Sequence, residues 1–508
     1  MAGDGDQAKL SNRDVARGLG AALAARLGAV IELVSQPIYV WMFGLAGYGL
    51  YAVLWSAVNL IENFADLGST AALQRVVPQA SSRRAQAAAL GAALIIGVVP
   101  CAAIALLAVI LAPALAAQMN VAATDRPLLV DCIRLFAWSL PLWAFVEVAT
   151  SALRAQRVFG AEIRLRIFWE QLIRLILAAA FWLGGFGITG LLYAHMISLA
   201  ITMLLSIRLL AGRYHLPDMI GCLGDPGTFR KTLAAGLASL PYNATSRLFS
   251  DAPAMILNLT LPGAAGATAA ALYIIARKIS SLVQMIRVAL AYVIAPLASN
   301  AASTGDRGAI VALYAFATRL SAVIAIPVTA GLILGAPAIL NLFGPGAESA
   351  SHAVMILCVA RAMETMGGQA AQIQQVISRL HLPLVGSLAG MVLALATGYW
   401  TVPAWGLTGI AIAVGTGLIA SAAMTIHQVD RHEGMHPFDR HFRTTLGRTL
   451  LIGAGEILLG SLSSHWPRSF ALPYLCALTA SAVWLSLKFA LSTHDKPALG
   501  RFGRMLRV

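Results

Sequence analysis

Nine basic residues fall inside segments that otherwise read as membrane-spanning helices: Arg26, Arg134, Arg174, Arg247, Arg277, Lys278, Arg287, Arg319 and Arg361. A charged side chain at the bilayer centre costs about 2.5–3.5 kcal/mol on the insertion scale, so such residues face a protein interior or a water-filled path. Arginine keeps its charge and grips phosphate oxygens two at a time, which lysine does not. A membrane chain with this many cations in its spans points to something anionic as its ligand.

The eighth span concentrates the chemistry. At 100° per residue, Arg277, Ser280, Ser281, Gln284 and Arg287 fall within one polar stripe, with Ile279, Val283, Ile286 and Leu290 opposite. A span with one polar face lines water or a partner helix. Arg361 with Glu364, and Glu170 with Arg174, are spaced for local ion pairs. Asp251 stands at i+4 from Arg247 and permits the same there. Arg26 and Arg319 have no acid at helical spacing. Glu62 and Asp66 are one turn apart, where two carboxylates repel, so one holds a proton or binds a cation. They are the candidates for ion coupling, by H+ or Na+. Asp66 is also placed to be solvated or to cap the next turn. There is no Ser/His/Asp set, phosphate loop or metal-ligand spacing, so neither catalytic residues nor a bound metal or cofactor is expected.

These residues must be positioned by helices that span a bilayer. Of 508 residues, 59% are hydrophobic and only 11% charged, against about 25% in globular domains; mean hydropathy is +0.77. The expectation is an all-α polytopic membrane protein. Fourteen spans are expected, at 17–43, 48–70, 88–115, 130–153, 166–185, 188–210, 232–260, 268–298, 310–342, 352–377, 382–401, 405–427, 446–464 and 470–491. The fourth and seventh are polar for spans. Lys and Arg crowd alternate loops, from Lys9, Arg13 and Arg17 to the tail. The opposite side carries Arg126 and Arg468 alone, which places both termini in the cytoplasm. Most of the net charge of +14 sits in these short loops, so it sets topology and does not indicate nucleic acid. Cys101, Cys132, Cys222, Cys358 and Cys476 are scattered and read as small apolar residues.

Short motifs recur at one offset. Leu50-Tyr51 returns as Leu272-Tyr273, 222 positions on, and Gly187-Ile-Thr-Gly190 as Gly406-Leu-Thr-Gly409, 219 on. Arg157 and Arg379 are also 222 apart, and Arg26 and Arg247 221. The division is an N-terminal six-helix bundle at 1–212, a cytoplasmic linker at 213–231, and a C-terminal six-helix bundle at 232–428. A cytoplasmic loop, two further helices and a cytoplasmic tail follow at 429–508. Parallel repeats of this kind are a transporter architecture with the path between the halves.

Arg17 and the first span, then Gly47-Tyr48-Gly49-Leu50-Tyr51 and Phe64-Ala65-Asp66-Leu67-Gly68-Ser69-Thr70 through Arg75, resemble the amino terminus of bacterial polysaccharide and O-antigen flippases. These belong to the multidrug/oligosaccharidyl-lipid/polysaccharide (MOP) exporter superfamily. The resemblance implies two bundles forming a V-shaped cleft, plus two C-terminal helices. It implies translocation of an undecaprenyl-pyrophosphate glycan across the cytoplasmic (inner) membrane by alternating access, for cell-surface polysaccharide such as lipopolysaccharide. It places the family's cationic cleft on Arg26, Arg247, Arg277 and Arg319; Arg287 joins them from the stripe of the eighth span. The implied partners are the lipid-linked glycan, the bilayer and polysaccharide assembly proteins. Two alternatives stay open: an ion-coupled small-molecule exporter of the multidrug branch, and a lipid II flippase. An enzyme such as a glycan ligase needs a sizeable external loop, and the external links here are short.

Overall fold

The computed structural model describes residues 12–156, 158, 160, 163–220, 225–376, 381–492 and 495–496; within these, the side chains of 12–30, 32, 33, 163, 216, 220, 242, 292, 293, 295, 296, 375, 376, 381, 464, 465, 468 and 469 are not among those described. Arg157, Arg379 and the Arg26 side chain therefore lie outside the described residues. Among those that are described there is no strand, and helices carry nearly all of the chain. It divides into two compact units, Met1–Arg247 and Leu248–Val508.

The first unit opens with α1 (Asn12–Ala65), 54 residues that would stretch roughly 80 Å if straight, far beyond a hydrocarbon core of about 30 Å. It is two helices meeting at Gly44, whose φ of 73° and ψ of 161° leave the helical region. The first two expected spans are these two helices. The unit continues with α2 (Ser69–Val76), α3 (Arg83–Ile110), α4 (Ala112–Gln118), α5 (Leu129–Ala137) and α6 (Ser139–Ala155). Next come α7 (Glu170–Leu183), α8 (Gly187–Ala211), α9 (Leu216–Ile220) and the first part of α10 (Pro226–Thr260). The polar fourth span is broken at Trp138 between α5 and α6. Helix α7 is entered through a wider π-helical turn, Ile163–Trp169. Asp225 starts α10 by accepting from the Gly227 and Thr228 N–H groups and the Thr228 hydroxyl, at 3.0, 3.2 and 2.6 Å. Those bonds, the Thr228 ones first, hold its carboxyl below the usual range.

Small residues let the helices of this unit approach closely, as in membrane bundles generally. Ala87, Ala89 and Ala93 of α3 pack on Ala149 and Ala152 of α6. At the turn after α1, Leu67 and Gly68 have φ of 50° and 71°. A Cβ on Gly68 would run into the Gly236 backbone of α10, so two chains cross there with no side chain between them.

The second unit holds the rest of α10 and α11 (Ala264–Ser303), α12 (Arg307–Leu340), α13 (Ser351–Gly367), α14 (Gln369–Val376), α15 (His381–Glu433), α16 (Arg440–Ser461) and α17 (Arg468–Leu485). Helix α15 repeats the device of α1: its 53 residues turn at Gly406, with φ 49° and ψ −115°. The last two expected spans correspond to α16 and α17. Helix α17 crosses α12 closely, because a Cβ on Gly331 would meet Thr479.

Eight helical stretches among the described residues are long and apolar enough to cross a membrane by themselves, so this is a multi-pass membrane protein. The stretches at α7, α10, α13–α14 and α16 are helical but fall outside those eight. The internal repeat acquires a physical meaning. Gly187 and Gly406 both have positive φ, at 55° and 49°. Three positions on, a Cβ on Gly190 would crowd Phe181, and one on Gly409 would crowd the Thr401 backbone. Each motif is a turn glycine followed by a contact glycine. Leu50, Tyr51, Leu272 and Tyr273 are all buried.

Candidate functional site

In the first unit the sequence-expected acids stand at the end of α1. Asp66 accepts from the Gly68 N–H at 2.9 Å and, more loosely, from the Thr70 hydroxyl at 3.4 Å, so it caps α2. Glu62, one turn earlier, is buried, and its carboxylate has no hydrogen bond or ion pair among the described residues. Both line a cavity of about 210 Å³ with Asn63, Glu147, Asn243 and Arg247. Glu147 of α6 takes a two-pronged bond from Arg166, at 2.8 and 3.0 Å, and the same guanidinium lies 4.4 Å over the Trp143 ring. The charges acting on Glu62 are Glu147, Asp66, Arg247 and Arg166.

Deeper in the same unit lies a closed polar knot. The Tyr51 hydroxyl is 2.9 Å from His195 Nδ1 and 3.4 Å from Arg174, which is paired to Glu170. His195 is fully buried among Trp55, Phe136 and Tyr51, with ring centroids 4.3, 5.1 and 5.6 Å away. Arg174 is held in place by this knot, as its spacing from Glu170 implies.

In the second unit the arginines of α11 are only partly neutralised. Arg277 reaches Asp251 at 3.7 Å, and its Nε is buried with no hydrogen-bond partner among the described residues. Arg287 reaches Glu364 at 3.3 Å and has the same bare Nε. Glu364 is shared, since Arg361 holds it at 2.7 Å. Three guanidiniums thus face two carboxylates. Tyr273 carries a buried hydroxyl without a partner among the described residues, within the field of Arg277, Arg361 and Asp251. Ser280 and Ser281 of the polar stripe turn back onto their own helix, donating to the Arg277 and Lys278 carbonyls at 2.9 and 2.6 Å. The two serines therefore offer no free donors, whereas Arg277, Arg287 and Tyr273 each keep a buried one unused among the described residues.

Arg319 sits elsewhere. It donates to both oxygens of Asp495 at 2.7 and 2.8 Å and to Asp439 at 3.0 Å, tying α12 to the chain before α16 and after α17. Arg134 is half exposed beside Asp131, 3.5 Å away. The structure thus groups Glu62, Asp66 and Arg247 in one unit, and Arg277 and Arg287 in the other. Glu147, Asn63 and Asn243 were not singled out by sequence; an acid within the fourth span was the available signal for Glu147.

A search of curated proteins finds no match to this sequence. The family model described as polysaccharide biosynthesis protein matches residues 16–302. Solved structures share the architecture. A lipid II flippase MurJ in an inward closed conformation aligns with a TM-score of 0.76 at 12% identity, over 92% of this chain and 98% of that one. An inward-facing multidrug resistance MATE family transporter of the MOP superfamily aligns at 0.67 and 18%, over 81% and 94%. A MOP superfamily transporter from Pyrococcus furiosus, reported with a binding pocket of reversed polarity, aligns at 0.59 and 17%, over 82% and 95%. At such identities the likeness establishes the fold. The family match covers more than half of the residues: the chain belongs to the polysaccharide biosynthesis protein family, on the fold shared by MOP superfamily transporters.

Proposed function

We propose that this protein is a flippase that moves an anionic lipid-linked oligosaccharide, an undecaprenyl-pyrophosphate glycan, across the bacterial cytoplasmic membrane by alternating access. The observation that carries the reading is the surplus of guanidinium where α11 meets α13. Arg277 and Arg287 keep buried N–H donors unused, and three arginines share two carboxylates. Membership of a polysaccharide biosynthesis family supports the same substrate class. A pyrophosphate supplies the oxygens that such donors lack, and charge-assisted bonds to it are about twice as strong as neutral ones. Partial pairing with Asp251 and Glu364 keeps the grip weak enough for release. The Lys/Arg asymmetry of the loops supports cytoplasmic termini, which reporter fusions at each end would test.

The test is translocation of a fluorescent polyprenyl-pyrophosphate oligosaccharide in proteoliposomes. Wild-type protein should move it. Arg277→Ala should cut transport by roughly tenfold or more, the loss of one charged hydrogen bond of about 1.5–3 kcal/mol. Transport of lipid II or of cationic drugs in place of the glycan would overturn the assignment.

A further inference from the structure

Helix α16 has one buried stripe, Phe442, Thr445, Thr449, Gly453, Glu456 and Gly460, spaced three or four residues apart. Its glycines let α16 lie close on α12: a Cβ on Gly453 would come 3.2 Å from Ile326, and one on Gly460 would run into Leu334. Between these two glycines stands a carboxyl. Glu456 is 2% exposed. Its Oε1 accepts from the Thr479 hydroxyl of α17 at 2.7 Å, and its Oε2 is buried with no hydrogen-bond partner among the described residues. Thr479 in turn lies against Gly331 of α12. Glu456 therefore sits where α12, α16 and α17 meet.

Among the described residues no cation pairs with it. Arg307, Tyr314 and Arg319 of α12 stand twelve or more residues before Gly331, and Arg319 is taken by Asp495 and Asp439. On α16, Arg440, His441 and Arg443 stand at the start. Arg448 is eight residues before Glu456, about 12 Å along the axis, and donates to the Phe489 carbonyl at 3.2 Å. Lys488, in the π-helical turn Ser486–Ala490, lies 4.6 Å over the Trp484 ring. On α17, Tyr474 donates to the Leu459 carbonyl at 3.1 Å, and Cys476 is exposed. A carboxylate offers about four acceptor sites, and one hydroxyl does not compensate a buried charge at membrane depth. A proton on the carboxyl removes that charge.

We propose that Glu456 is a proton-binding site, filled at neutral pH, and that this proton locks the α16–α17 hairpin onto α12. As a neutral acid the side chain accepts from Thr479 and leaves the glycine contacts closed. As a carboxylate it would draw water into the three-helix contact and part it. The hairpin is thereby held at two levels, by the ion pairs of Arg319 and by a neutral acid. The site belongs to the second unit alone and does not depend on the flippase reading.

The experiment is infrared difference spectroscopy of the purified full chain in nanodiscs, wild type against Glu456→Gln, with Tm measured on the same samples. At neutral pH wild type should show a protonated-carboxyl C=O band that the variant lacks. Thr479→Val keeps the proton and removes the hydrogen bond, so it should move that band to higher frequency; it serves if the Glu456 variant does not fold. Stability that comes from a bound proton is lost as pH rises. Once the carboxylate band has replaced the acid band, the wild-type Tm should fall below that of Glu456→Gln, whose amide stays neutral. A Glu456 carboxylate band at neutral pH, or an acid band unmoved in Thr479→Val, would overturn the site. Equal Tm values of wild type and Glu456→Gln after deprotonation would overturn the lock.

Discussion

The two units share a scaffold and differ in the sign of their chemistry. Both carry a buried Leu-Tyr pair and a Gly-x-Thr-Gly turn. The first unit gathers Glu62, Asp66 and Glu147 around a cavity and answers them with two arginines. The second gathers Arg277, Arg287 and Arg361 and answers them with two acids. Turn glycines and buried tyrosines are requirements of packing and recur in both. Charge is free to diverge, because a handful of substitutions on helix faces changes its sign without moving a helix.

Three perturbations would break or sharpen this contrast. The largest effect is expected from Glu364→Gln. It leaves Arg287 and Arg361 facing each other without their shared carboxylate, and losing one partner of a buried pair costs about 3–5 kcal/mol. The Tm of the purified protein should fall sharply, and a drop smaller than that of the next variant would sink the shared-carboxylate account. Glu147→Gln comes second. Arg166 keeps its Trp143 contact and a neutral acceptor, so a loss of about 2 kcal/mol is expected. The third is the matched pair Gly44→Ala and Gly406→Ala. A Cβ at Gly44 meets nothing within 4 Å, and at Gly406 only a Leu261 methyl at 3.7 Å. Both should cost about 1–3 kcal/mol, through backbone conformation alone. Clearly unequal losses by thermal denaturation would mean the two turns are not equivalent.

What could be read from sequence follows the range of the interaction. Helical spans are local patterns of apolar residues, and most described residues of the expected spans are helical. Pairs at i+3 and i+4 were legible, as Arg361–Glu364 and Glu170–Arg174 demonstrate. The same spacing pointed Arg247 at Asp251, yet Asp251 lies against Arg277 of the next helix. Helical spacing says which residues could meet, and tertiary packing chooses among them. The partners of Arg319 are 120 and 176 positions away, beyond any periodicity. The expected spans 17–43 and 48–70 were separated by a short loop, but the chain makes the bend at one glycine. The cavity itself needed three dimensions, since Glu62, Glu147 and Asn243 come from different helices.

The double grip of Asp495 on Arg319 has a consequence for biosynthesis. Ribosomes add about 5–20 residues per second, so roughly 9–35 s separate the synthesis of Arg319 from that of Asp495, 176 positions later. Throughout that interval the nascent α12 holds a guanidinium without its two-pronged partner. Its final lodging in the membrane must wait for α16 and α17 to arrive. Assembly of the second unit is therefore completed from the far end of the chain backward, and nascent chains arrested before Asp495 should remain protease-sensitive around α12.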